Sequence, residues 1–238
     1  PEPSPGDLFL DFESDPWAFE GGLEFLIGTV VEENGKPAYA TLWAHDRDAE
    51  KRAFESLIDT ILARLEKHPG MHVYHYGAYE AGAIKRLMGR YATREEEVDR
   101  LLRGRGLVDL FSVVRQGVRV SQESYSLKKV EKLYMPQREG PKTRPGFALV
   151  EYEKWLEHPD QQSILDGLAA YNKDDCVSTW MLRTWLEDRR AEAVTRWPEL
   201  PWARPVADVK DPSPAVTEWQ QMVDERVHGL TDDLAADD

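Results

Sequence analysis

With 238 residues, 41% of them hydrophobic, the chain can bury the core of one large domain or two small ones, which excludes disorder as its main state. Thirty Lys and Arg against 44 Asp and Glu leave a formal charge of -14, which argues against coating nucleic acid or an anionic membrane by bulk attraction; any polyanion has to be held locally. A single cysteine, Cys176, rules out a disulfide framework and a cysteine-rich zinc site and fits a reducing compartment, so the cytoplasm is the expected location. No apolar run approaches membrane-spanning length, and the amino terminus has neither a basic segment nor an apolar targeting core. A start at Pro1 rather than Met leads us to expect a piece of something longer.

Leu8 to Phe12 alternates as a strand, Leu23 to Val31 is a second apolar run and Ala38 to Ala44 a third, with Asn34-Gly35 between the last two as a tight-hairpin signal. From Glu50 the period changes: Phe54, Leu57, Ile58, Ile61, Leu62 and Leu65 form one helical stripe that should end before Pro69-Gly70. Met71 to Tyr76 reads as a short buried strand and Tyr79 to Met88 as a helix. Three strands, a helix, a strand and a helix predict a mixed α/β sheet with helices packed on it.

The second half reads as mostly helical: Arg94 to Leu102, a segment around Val108 to Val114, Tyr125 to Tyr134, Leu149 to Leu156 and a long stretch from Gln161 to Arg189. A loop from Met135 to Gly146 carries three prolines together with Arg138, Lys142 and Arg144, and loops of this kind often touch ligands. Beyond Trp197, five prolines and the acidic end Thr231 to Asp238 read as a linker and a weak terminal helix. Between Ile84 and Phe147 there are fifteen basic and eight acidic residues, a local excess of +7 inside an acidic chain. That basic middle is a polyanion contact or a set of solvated helix faces, and charge alone favours the second.

Asp11 and Glu13 stand two apart on the first strand, whose other face carries Leu8, Leu10 and Phe12. Two carboxylates on one face repel unless a cation sits between them or one stays protonated, although an Asp-x-Glu triplet alone reads equally as a strand end reaching solvent. Tyr171 and Asp175, in Tyr171-Asn172-Lys173-Asp174-Asp175, share one helical face; alone they also fit a core aromatic and an acid near a helix start, and Asp174 stays a secondary candidate. In His75-Tyr76-Gly77-Ala78-Tyr79-Glu80 a strand meets a helix and puts Glu80 near the sheet end. His75 reads as a hydrogen-bonding residue before a metal ligand, and Asp109, acidic in apolar surroundings, is second-rank.

In order and context these features resemble the DEDD superfamily of exonucleases: Asp11 and Glu13 match the first motif, His75 to Glu80 the second, and Tyr171 with Asp175 the third motif of the tyrosine subclass. The histidine subclass needs His five residues before Asp175, where Ala170 stands. More narrowly, Tyr74-His75-Tyr76 with Tyr79-Glu80, Tyr125-Ser126-Leu127-Lys128 with Glu131, and Tyr171 to Cys176 are similar to the ribonuclease-H-like domain of bacterial RecB-like nucleases, which belongs to longer proteins that sometimes carry a helicase. Glu80, where Asp is usual, departs from the broader pattern and lengthens the reach by one methylene.

The resemblance implies a ribonuclease-H-like mixed sheet of three antiparallel strands followed by strand-helix units, flanked by helices, with a helical C-terminal half. Residues 1–6 are expected to be a disordered or non-native start, 7–190 the exonuclease domain and 191–238 a Pro-rich, acidic linker or tail. It also implies two Mg²⁺ or Mn²⁺ ions held by Asp11, Glu13, Glu80 and Asp175, with Tyr171 orienting the attacking water. The expected activity is 3′-to-5′ exonuclease action, with single-stranded DNA as the favoured substrate and no membrane partner. Lys128, Arg138, Lys142 and Arg144 are the expected nucleic-acid contacts, and Tyr125 and Phe147 are candidates for stacking on bases. A binding or helicase-contacting module with little catalysis and an endoribonuclease stay open as alternatives, because fold alone does not separate them.

Overall fold

Alternating apolar residues build the first three extended runs into β1 (Leu8–Asp15), β2 (Leu23–Glu33) and β3 (Lys36–Trp43), a continuous antiparallel meander. Asn34 and Gly35 both take positive φ (53° and 74°), the left-handed geometry that matches strand twist in a two-residue hairpin, and this sets Glu33 opposite Lys36. In the β1–β2 pairing Asp11 lies opposite Gly28 and Glu13 opposite Leu26. The computed structural model describes residues 1–136, 146–202, 217–219, 221–223 and 225–226. Arg138, Lys142, Arg144 and the acidic end 231–238 lie outside the described residues.

Where the hydrophobic period lengthens, α1 (Arg47–Lys67) forms and buries Phe54, Leu57, Ile58 and Ile61. Removing each of these from water contributes roughly 2 kcal/mol. Asp46 caps the helix by accepting a 2.7 Å hydrogen bond from the Ala49 amide, and Arg64 and Lys67 face the negative end of the dipole. Asp46→Ala is expected to lose about 1 kcal/mol, read as a drop of roughly 2–4 °C in thermal midpoint; an unchanged midpoint would show that the cap contributes nothing.

β4 (Val73–His75) runs parallel to β1 and leads into α2 (Tyr79–Tyr91) and α3 (Glu95–Arg103). The segment expected to be helical around Val108 to Val114 divides instead into a strand, β5 (Leu107–Asp109), and α4 (Leu110–Gly117). Three residues are too few to carry a period, and what makes them a strand is parallel pairing with β4. Asp109 then turns the chain into α4 by accepting from the Phe111 amide at 2.9 Å. The helix expected from Tyr125 to Tyr134 shrinks to α5 (Leu127–Val130) and a 3-10 turn at Glu131–Leu133. α6 (Phe147–Glu157) and α7 (Gln162–Arg196) complete the described elements of the first unit, and α7 runs past its expected end at Arg189.

The sheet order is β3-β2-β1-β4-β5, a mixed five-stranded sheet with helices on both faces, as expected. Leu8, Leu10 and Phe12 pack on one face against α1, α2 and α3. The other face carries Phe9, Val30 and Tyr74 against α4 and α7, and Leu23, Phe25 and Leu26 against α6 and α7. Asp11 and Glu13, one and two alternations beyond Phe9, therefore point toward α7 rather than into the α1 layer. Ser4 to Asp7 are an ordered turn, with Gly6 O accepting from Arg64 Nε at 3.1 Å. The chain divides into two compact units, Pro1–Pro205 and Val206–Asp238; the described residues of the second are helical. Among the described residues no helix is long and apolar enough to cross a membrane.

Candidate metal centre

A strand that presents every second side chain to one face and a helix that presents every fourth are enough to gather acids that are 162 or more residues apart in sequence. Carboxylate oxygens of Asp11 and Glu13 on β1 and of Asp175 on α7 all lie within 4.8 Å of one another. Tyr171, one turn before Asp175, is buried against the same part of the sheet. Such crowding carries a cost that appears in Glu13. Burial, and after it the charge of Asp175, push its carboxyl from the ordinary 4.5 up to about 8, against hydrogen bonding from Asn172, the Lys128 ammonium and hydrogen bonding with Asp11.

This shift has a definite sign in stability. Between about pH 4.5 and 8 the folded, metal-free protein keeps a proton on Glu13 that the unfolded chain has released, so stability falls as pH rises through that window and levels off above it. The thermal midpoint in a chelator is expected to decline across this range, and Glu13→Gln to flatten the decline. An equal slope in Glu13→Gln would assign the effect to other groups.

Lys128, expected as an outer contact for nucleic acid, reaches into the cluster: Nζ donates to the Tyr171 hydroxyl at 2.5 Å and sits 4.5 Å from the ring centroid. Phe147 lies 5.2 Å from Tyr171, centroid to centroid. Tyr125 is held in the core beneath α5, its hydroxyl donating to Val118 O at 3.2 Å and its carbonyl accepting from Tyr76. Much of the basic middle is spent on structural ion pairs: Arg86 with Glu24, Arg90 with Glu50, Arg94 with Asp59, Arg103 with Asp99 and Lys129 with Glu123.

Glu80, expected as the fourth acid, is buried at the start of α2 but stands outside the three-carboxylate group. Its Oε2 lies 3.4 Å from His75 Nδ1; that nitrogen is committed to Gly77 O at 2.7 Å, which leaves the carboxylate oxygen without a hydrogen-bond donor among the described residues. His75 thus orients the turn and the approach of Glu80. Asp109 is consumed structurally, accepting from the amides of Gly77 and Phe111 and from the Ser112 hydroxyl. Asp174 is half-buried beside Asp175 and also lies outside the group of three.

Asn172, Tyr39 and Gly28, three residues outside the sequence-based expectations, complete the site. Asn172, fully buried, donates through Nδ2 to Asp11 Oδ2 at 2.8 Å and to Asp11 O at 3.3 Å. Its Oδ1 accepts from the Tyr39 hydroxyl at 2.9 Å. Gly28 makes room, because a Cβ there would stand 1.6 Å from Asn172 Oδ1. An isolated glycine inside the apolar run of β2 was the available signal, since it marks a close approach to backbone. Cys176, buried beneath the cluster, is held as a thiol by burial and then by the charges of Asp11, Asp175, Glu13 and Glu80.

An all-oxygen donor set of three converging carboxylates, with the buried Glu80 Oε2 lacking a donor among the described residues, fits a hard divalent cation. The family model described as the RNase H superfamily matches residues 8–187. No curated protein matches the chain. The family match begins at the first residue of β1 and runs well into α7, spanning the whole sheet and all three clustered acids, and on that extent the chain belongs to the RNase H superfamily.

Proposed function

We propose that this protein is a metal-dependent 3′-to-5′ exonuclease of the tyrosine DEDD type that hydrolyses single-stranded nucleic acid, DNA in preference to RNA. Membership in the RNase H superfamily suggests nuclease-type activity on nucleic acid with divalent metals. The observation that carries the finer reading is the convergence of Asp11, Glu13 and Asp175 with Tyr171 one helical turn away. Asp11, Glu13 and Asp175 would hold Mg²⁺ or Mn²⁺, and Glu80, whose Oε2 lacks a donor among the described residues, would serve a second ion. When bound, such ions lower the pKa of water and offset charge on the phosphodiester.

The side chains divide the remaining work. Asp11, on the central strand and fixed by Asn172, would be a principal ligand of the metal. Tyr171 orients the nucleophilic water rather than taking its proton, because an ordinary phenol with a pKa of ~10 is a poor base at neutral pH. Lys128 braces that phenol and places a cation where the scissile phosphate arrives, offsetting the repulsion between an acidic site and a polyanion. Arg138, Lys142 and Arg144 are proposed as further phosphate contacts. The phrases shared with RecB-like nucleases lead us to place the domain in a larger cytoplasmic nuclease or helicase protein.

The test is Mn²⁺-dependent shortening of 5′-labelled single-stranded DNA, run beside RNA, a circular single strand and Asp11→Ala. A ladder from linear DNA, an intact circle and an inert Asp11→Ala are expected. Cleavage of the circle would make the enzyme an endonuclease. The position of Glu80 outside the group of three favours one other reading, a weakly catalytic binding module, and binding without degradation of any substrate would establish it.

A further inference from the structure

We propose that Asn172, held in place by Tyr39, is a positioning residue that aims the Asp11 carboxylate at a divalent cation. The inference rests on reading Asp11 as a metal ligand and goes beyond it, because neither Asn172 nor Tyr39 belongs to the acidic set.

A buried side-chain amide has one acceptor end and one donor end, and its orientation is decided by its partners. Here the Tyr39 hydroxyl donates to Oδ1 at 2.9 Å, with the Cys176 thiol a weaker donor to the same oxygen at 3.8 Å. Both donors select the orientation in which Nδ2 faces β1. Nδ2 then contacts Asp11 twice, Oδ2 at 2.8 Å and the backbone O at 3.3 Å, besides its hydrogen bonding to Glu13. Side chain and backbone of Asp11 are gripped together, which fixes the carboxylate's rotation relative to its own strand. Burial raises the Tyr39 phenol's pKa, and the nearby Asp11 and Glu13 charges raise it further, so it remains a donor.

Geometry shows that the arrangement is built into the sheet. Gly28 lies directly opposite Asp11 in the β1–β2 pairing, and the amide oxygen occupies the space a side chain at 28 would take. Tyr39 comes from β3, one strand further out. The relay therefore spans β3, β2, β1 and α7, and its shortest contact is to the Asp11 carboxylate. With one oxygen of Asp11 held by a neutral donor, the carboxylate is fixed in rotation, as outer partners do for metal-ligating carboxylates. A neutral amide does this without adding charge to a cluster that already repels itself.

The test is a titration of the full chain with Mn²⁺ alone, following free Mn²⁺ by electron paramagnetic resonance, for the parent, Asp11→Asn, Asn172→Leu and Tyr39→Phe, with a thermal melt of each in chelator. Expected results are a roughly 10- to 100-fold weaker Mn²⁺ affinity in Asn172→Leu and a smaller loss in the same direction in Tyr39→Phe, which removes one hydroxyl and keeps the ring that packs on β2. A lowered melting temperature with parental Mn²⁺ affinity in both variants would reduce the relay to a packing device and overturn the proposal. Tyr39→Phe alone decides the matter if Asn172→Leu does not fold. Absence of Mn²⁺ binding by the parent, or parental affinity in Asp11→Asn, would instead overturn the reading of the site as a metal centre.

Discussion

Asp175→Asn is expected to lower nuclease turnover roughly 10³-fold, about 4 kcal/mol at 1.36 kcal/mol per decade, while leaving the metal-free fold at least as stable as the parent near pH 8. The two effects have opposite signs because Asp175 serves opposite purposes in the two states. Without a cation its charge is, after burial, the largest influence holding Glu13 protonated, so removing that charge relieves a repulsion. With a cation bound, the same charge would be one of three to hold it. Asparagine keeps the shape, and the Thr179 hydroxyl still bonds the backbone carbonyl of residue 175 at 3.0 Å. Turnover on linear single-stranded DNA and a melt in chelator check the pair of expectations. A variant that loses activity and stability together would mean that Asp175 mainly holds the fold.

The second large effect belongs to a residue with no side chain. Gly28→Ala is expected to cost about 3 kcal/mol or more, seen as a fall of roughly 6–12 °C in the thermal midpoint, and to weaken Mn²⁺ binding with it. The new Cβ would stand 1.6 Å from Asn172 Oδ1, 2.7 Å from its Cγ and 3.1 Å from Tyr39 Cε2. Neither neighbour has room to retreat: Asn172 is buried on α7 and tied to Asp11, and Tyr39 is tied to Asn172. Adding Asn172→Ala to Gly28→Ala should restore part of the stability without restoring metal affinity, since the clash goes but the donor to Asp11 is lost as well. A Gly28→Ala protein melting within about 1 °C of the parent, a difference worth less than about 0.5 kcal/mol, would show that the close approach is not what the position requires.

Local patterns carried much of the architecture. The Asn34-Gly35 hairpin, the α1 stripe and the alternation that separates Leu8, Leu10 and Phe12 from Asp11 and Glu13 are each complete within a dozen or so residues, so period and turn chemistry alone reveal them. β5 was missed for the converse reason, because its three residues are extended through bonds to β4 and not through any pattern of their own. Asp109 looked like an acid in search of a function and proves to be a helix cap that also holds the Gly77 amide. Lys128 looked like a surface contact, and only the packing of α5 against α7 turns it onto Tyr171.

For the site the division follows distance along the chain. Sequence by itself determined which acids exist and which local face each occupies: Asp11 with Glu13 by the two-residue period of a strand, and Tyr171 with Asp175 by the turn of a helix. Only the tertiary structure decided that those two pairs meet, that Glu80 stands outside the group of three beside His75, and that Asn172, Tyr39 and Gly28 form one arrangement around Asp11. The physical reason is that a hydrogen bond or a shared charge between residues 11 and 172 leaves no periodic trace in either segment. It exists once burial of Leu23, Phe25 and Leu26 against α6 and α7 has drawn the helix across the sheet.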